Sequence, residues 1–294
     1  MNLQPRILCV MAVASLAVLS GCDEAQEKVK HSESPAASTP VENQEPTFDD
    51  LNATLIATFP NPERIQPALA LDILQPETAF GLYNSLRTWE EDGKDLANLL
   101  KSSLGEGGVP VFKLGREYSN TSDEFKKHDL EVKILAETQH EAAKVEGNRL
   151  VKFLSEPGKP VSLDVGKYNF EENTFKIDHC LFSDKLEYSK EERRYAQNLK
   201  GSDQERCYFR TTNTELKVGF TGGSKVTFKI EDLDLARKIE GQRKELKVAV
   251  YGYVESVRRE KIGGNRVKER FVLIAPQRVE LIDVHGQVLA ELTI

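Results

Sequence analysis

The chain has 294 residues, of which 39% are hydrophobic, 30% charged and only 7% aromatic. That balance excludes a multi-span membrane protein and leaves enough chain for one large or two modest folded domains. Forty basic against 47 acidic residues give a net charge of −7, which argues against wholesale nucleic-acid binding.

Arg6 is the one charged side chain before Cys22, and Ile7 to Leu19 is an apolar run too short to cross a hydrocarbon core. This is the pattern of a signal-peptide core. The run ends Leu19-Ser20-Gly21-Cys22, and there it resembles the lipobox of bacterial lipoproteins. The resemblance covers the N-terminus alone. It implies a diacylglycerol on the Cys22 thiol, cleavage between Gly21 and Cys22 by the lipoprotein signal peptidase, and acylation, as by palmitate, of the new amine. Residues 1–21 are then a signal peptide, and the protein is held to a membrane of the bacterial cell envelope, facing the periplasm, by lipid on Cys22. Several acyl chains make a long-lived anchor where one is marginal. Asp23 resembles the inner-membrane retention signal of enterobacterial lipoproteins.

Residues 22–50 read as an anchor followed by an acidic tether. Pro35, Pro40 and Pro46 interrupt it, Val29, Val41 and Phe48 are its few large apolar residues, and from residue 23 onward it carries eight acidic against two basic residues. Such a composition is expected to stay unfolded, with a typical span of roughly 30 Å.

Residues 51–150 read as mainly helical. Phe80, Tyr83 and Leu86 recur at helical spacing, and Leu96, Leu99, Leu100 and Leu104 trace a second stripe ending at Gly105. Thr121-Ser122-Asp123-Glu124 resembles a capping box opening a helix toward Val145, with Phe125, Val132, Leu135, Ala136, Ala142 and Ala143 as its expected core face. Trp89 stands beside Glu90, Glu91 and Asp92, which read as a solvated loop or helix start.

Residues 151–294 switch toward period two. Leu216–Phe220 and Val226–Ile230 alternate around Thr221-Gly222-Gly223-Ser224, predicting a hairpin. A short helix over 231–239 closes at Gly241. A long hairpin over 246–257 and 267–275, and a closing one around His285-Gly286, complete the pattern. The predicted class is α+β: a helical N-terminal half and an antiparallel β-rich C-terminal half, either a sandwich or a partly closed barrel.

Cys9 lies in the signal segment, so Cys180 and Cys207 are the thiols left for the mature fold, and export predicts a disulfide between them. One His beside one Cys, His179-Cys180, lacks the paired spacing of a zinc site, so no metal or cofactor is expected. No H-E-x-x-H or G-x-S-x-G occurs, and His128 and His140 are too far apart for a helix-borne zinc pair. No catalytic residue is nominated.

Between Arg237 and Arg270 eleven basic residues stand against five acidic ones. At the tip of the long hairpin, Arg258, Arg259, Lys261, Arg266, Lys268 and Arg270 are candidate contacts for anionic lipid or an acidic partner, with edge protection as the alternative. Nucleic acid is not an expected partner. The expectation is a lipid-anchored, non-enzymatic binding or scaffold module that meets an envelope protein or component through its β-rich half. An envelope hydrolase with a dispersed site, or a secretion or assembly accessory, are the alternatives.

Overall fold

The computed structural model describes residues 54–60, 66–101, 108–182, 208–210, 215–222, 226–262 and 267–294. The signal segment, Cys22 and the tether lie outside them.

Helices come first because their starts are written locally. Helix α1 (Pro76–Leu86) and α3 (Pro110–Asn120) each open on a proline, whose fixed φ suits the first turn and whose missing N–H is not needed there. Helix α2 (Gly93–Leu100) is capped by the Asp92 carboxylate, which accepts from the Asp95 N–H at 2.7 Å. Helix α4 (Glu124–Lys144) is capped by Asp123, which accepts from the N–H groups of Phe125 and Lys126. Thr121, the cap of the predicted box and two residues ahead of the actual one, instead accepts from Asp123 N and shapes the approach. Helix α5 (Leu233–Gly241) is capped by Asp232 in the same way as α4.

The first three helices pack on α4. Two glycines permit this closeness: a Cβ on Gly93 would lie 2.5 Å from the Glu131 carbonyl oxygen, and one on Gly115 would lie 2.5 Å from Leu100 Cβ. The face that α4 turns inward holds Leu130, Ile134, Thr138 and Glu141. Of the expected core face, Leu135 packs against the core and Ala142 is partly buried, but the other four residues turn outward. Phe125 is 87% exposed, Val132 is 60% exposed, and Ala136 and Ala143 are exposed beside them.

In chain order the strands are β1 (Thr54–Thr58), β2 (Leu71–Asp72), β3 (Leu150–Ser155), β4 (Asp164–Val165), β5 (Thr174–Asp178) and β6 (Phe209–Arg210). There follow β7 (Leu216–Phe220), β8 (Thr227–Lys229), β9 (Lys247–Ile262), β10 (Val267–Ile282) and β11 (Val288–Thr293). The spine is the antiparallel pair β9–β10, which runs from Val267↔Ile262 to Ile282↔Lys247 with two register shifts. One edge of β9 pairs with both β1 and β3, and one edge of β10 with both β7 and β11. Strands β4, β5 and β8 form a small antiparallel sheet.

The α+β class holds, but the large sheet is mixed: β2 runs parallel to β3, and β7 runs parallel to β10. No closed barrel forms among the described residues. The predicted hairpin of 216–220 with 226–230 is absent. Strand β7 inserts between β10 and β6, while β8 joins β5 and sets Phe228 opposite Phe175. Burial decides this: Leu216, Val218 and Phe220 are all buried, and Gly219 leaves room for the Tyr208 ring, 2.7 Å from where a Cβ would stand. Strand β7 thus has the two-sided burial of a central strand, which a solvent-edged hairpin does not supply. The strands β1 and β2, in the stretch expected to be mainly helical, belong to the same sheet as the C-terminal strands.

Apolar burial closes the fold. Phe153 meets Phe209 and Phe220, Phe182 stacks on Phe220 at 4.9 Å, and Phe80 meets Phe112 edge-on across the helices.

Candidate functional site

The basic residues of the long hairpin do not share one surface. Arg270 is 1% exposed, and its Nε and Nη2 donate to Glu91 Oε2 at 2.9 and 2.6 Å. Tyr83 donates its hydroxyl to Glu91 Oε1 at 2.5 Å, and Trp89 Nε1 reaches the same oxygen at 3.4 Å. Arg259, directly opposite Arg270 in the β9–β10 register, donates to Asp95 Oδ2 at 2.7 Å and stands 3.6 Å from Glu91. Glu215 lies 3.5 Å from Arg270 Nη1. Both arginines therefore turn toward the helices and tie the hairpin to the α1–α2 connection. Arg258 is partly buried on the other face. Lys261 and Lys268 lie on β9 and β10 with side chains outside the described set, and Arg266 lies outside the described residues.

Burial alone raises the pKa of Glu91, but the Arg270 charge and hydrogen bonds, the Tyr83 hydroxyl and Arg259 together hold it below the usual carboxylate range. Burial likewise works against a charged Arg270, and Glu91 overcomes it. The Tyr83 hydroxyl is pushed up by burial first and by the neighbouring Glu91 second, so it stays protonated as a donor. The cluster is an ionised, hydrogen-bonded joint in which the Glu91 and Arg270 side chains are both out of water. Glu90 and Asp92 are exposed, as expected of a loop, whereas Glu91 between them is buried.

A different place has the geometry of a binding site. A groove of about 580 Å³ runs between the 167–170 segment and helix α5, lined by the apolar Tyr168, Phe170, Leu233 and Ala236 and by Lys167, Arg237, Glu240 and Gly241. Phe170 is 80% exposed and Leu233 about half exposed. The walls are fixed. Tyr168 N donates to Glu240 Oε2 at 3.1 Å, which ties the segment to α5, and the Tyr168 hydroxyl donates to the Ile230 carbonyl at 2.8 Å. Phe170 sits in a tight turn in which Asn169 and Thr174 exchange backbone hydrogen bonds. The Asn169 side chain accepts from Glu171 N and Glu172 N, and Asn173 takes φ +56. Tyr168 is sandwiched at about 5 Å by Phe170 and Phe175. Such a volume is ordinary for a ligand pocket, and its mostly apolar lining with few polar groups is the usual chemistry of one.

Apart from Arg237, counted in the basic run, the groove residues were not singled out in the sequence. Their one local signal is the Tyr168-Asn169-Phe170 run, an aromatic pair around a turn-forming Asn, and its partner helix lies more than sixty residues further on. His128 and His140 are both exposed on α4. Among the described residues no group of three or more His, Cys, Asp or Glu is placed to hold a metal, and no helix is long and apolar enough to cross a membrane. Cys180 begins a single 3-10 turn whose side chain is outside the described set, and Cys207 lies outside the described residues. No protein family, curated protein or solved structure matches this chain.

Proposed function

We propose that this chain is a lipid-anchored cell-envelope protein that acts by binding, and that its ligand is an extended protein segment laid in the groove between Tyr168, Phe170 and helix α5. The groove with its exposed Phe170 is the observation that carries the reading. A large aromatic side chain held rigidly in the open is costly to leave in water and is the kind of anchor that dominates protein interfaces. Of the charged residues lining it, Arg237 is bonded to Asp234 and Glu240 accepts from Tyr168 N, so Lys167 is the cation that favours a segment placing an apolar side chain next to a carboxylate. The Leu19-Ser20-Gly21-Cys22 motif supports the anchor, and the acidic tether after it gives the body reach from the bilayer.

Selection of random peptides displayed on phage against the purified protein tests this. Enrichment of apolar residues flanked by Asp or Glu, with binding reduced at least tenfold by Phe170→Asp or Leu233→Asp, is the expected result. Absence of any enriched pattern, or binding indifferent to both substitutions, overturns it.

A further inference from the structure

We propose that Arg243, which is not one of the residues lining the groove, decides which charge the groove shows to a ligand by cancelling Glu240. The proposal rests on the groove being a binding site and assigns its preference for a carboxylate to a residue that acts through another. The charged side chains of the lining are Lys167, Arg237 and Glu240. Arg237 has a counter-charge of its own in Asp234, 3.0 Å away. Lys167 is in no ion pair among the described residues. Glu240 is the lone carboxylate of the lining, and both of its oxygens are engaged: Oε2 accepts from Tyr168 N at 3.1 Å, and Oε1 accepts from Arg243 Nε at 3.3 Å. The first of these bonds is to a neutral donor and leaves the negative charge in place, so its cancellation falls to Arg243.

Arg243 is held in place for this. It sits in the turn that trails α5, where its N–H donates to the Glu240 carbonyl at 3.4 Å, and its Nη1 donates to the Val165 carbonyl at 2.8 Å. Its side chain is 20% exposed, against 42% for Glu240. The Val165 bond fixes the guanidinium before it meets the carboxylate, so this pair escapes much of the side-chain ordering cost that makes exposed pairs weak. The same arginine thus ties the end of β4 to α5 and neutralises the lining. Charges around one groove of this size stand within about 10 Å, the Debye length at 0.1 M salt, so they act on a ligand together. With Arg243 present the groove shows the charge of Lys167. Without it Glu240 offsets Lys167, and the preference for a carboxylate is lost.

The test reads the potential in the groove without any peptide. A thiol is placed there by Phe170→Cys, at an 80% exposed position, in the full chain in mild detergent. Its rates with an anionic (sulfonatoethyl) and a cationic (trimethylammonioethyl) methanethiosulfonate are compared in dilute buffer, after subtracting the rates of the chain with Phe170 intact. The anionic reagent is expected to be favoured. Arg243→Met is expected to shift the rate ratio toward the cationic reagent by about threefold or more, and the shift is expected to shrink in 0.5 M salt. The pair Glu240→Gln with Arg243→Met is expected to restore the ratio, because both charges are gone while the Gln oxygen can still accept from Tyr168 N. An unchanged ratio in Arg243→Met, a change that persists in high salt, or one that the pair fails to restore overturns the proposal, the last two by showing that Arg243 acts through the Val165 bond alone. Failure of the groove to bind any peptide would remove the binding reading, and the reagent ratio would still decide the role of Arg243.

Discussion

Glu91 and Arg270, 179 residues apart in the chain, share a two-pronged ion pair in which Arg270 Nη2 stands 2.6 Å from Glu91 Oε2 and both side chains are out of water. The pair joins the helical layer to the longest strand pair of the sheet. Its energetics are asymmetric: a buried pair adds little over apolar residues of the same size, but either half left alone is a stranded charge.

Substituting Glu91→Ala or Arg270→Met singly is therefore expected to lower stability by roughly 3–5 kcal/mol. The double replacement Glu91→Leu with Arg270→Met is expected to cost less than either single change. Equilibrium urea unfolding of the four proteins checks this, and single effects that simply add would show the pair to be uncoupled.

Acid should act through the same joint. The Glu91 pKa lies below its ordinary value in the folded chain. Its contribution is thus complete above the unfolded carboxylate range, about 4.3, and is lost as pH falls through the lower folded value. The expected outcome is a stability that falls with acid below about pH 4 and a shallower fall in Glu91→Gln, read from unfolding midpoints across the acid range. An unchanged slope in Glu91→Gln would place acid sensitivity elsewhere.

Helix contact at Gly93 gives a sharper steric prediction. A methyl group there would meet the Glu131 carbonyl at 2.5 Å, so Gly93→Ala is expected to destabilise by about 1–3 kcal/mol despite alanine's better helix propensity. Gly241→Ala, where a Cβ meets nothing within 4 Å and φ is not positive, is the comparison. Thermal unfolding of the two variants reads the difference.

The N-terminal expectations have a direct mass test. The protein extracted from its membrane in native cells is expected to begin at Cys22, to carry the added mass of acyl chains, and to gain two hydrogens on reduction as the bond between Cys180 and Cys207 opens. Cys22→Ala should retain residues 1–21 and lack the lipid. A wild-type chain without lipid would remove the anchor, and a mass unmoved by reduction would remove the disulfide.

Legibility followed distance along the chain. Asp92, Asp123 and Asp232 cap helices through bonds spanning two or three residues, and three of the four helices packed together, α5 and the core of the long hairpin over 246–257 and 267–275 were accordingly visible in the sequence. Helix α3 was not among the predicted elements, since the stretch from Gly105 to Pro110 reads as a break, yet Pro110 sits at the first turn of a helix and Gly115 makes room for Leu100. The predicted face of α4 included Leu135, which does pack on the core, but Phe125, Val132, Ala136 and Ala143 point to solvent, since periodicity tells that a face exists and not what covers it. Glu91 looked like loop solvent because its partner is 179 residues away. The groove joins two segments separated by more than sixty residues, and no local pattern announces such a meeting.

Strand β1 is the first strand of the described fold, and it follows the stretch whose composition reads as a tether. It lies along β9 with Thr54 beside Glu260 and Thr58 beside Ser256, and Phe59 N donates onward to the Glu255 carbonyl at 2.8 Å. Behind it the Arg149 guanidinium grips the Pro60 and Val254 carbonyls at 2.7 and 2.8 Å and lies over the Phe59 ring. A tug on the chain ahead of Thr54 is therefore taken up by five paired residues and a cationic rivet before it reaches the core. The strand serves as a strain relief, like the clamp that keeps a pulled cord from loading its solder joint.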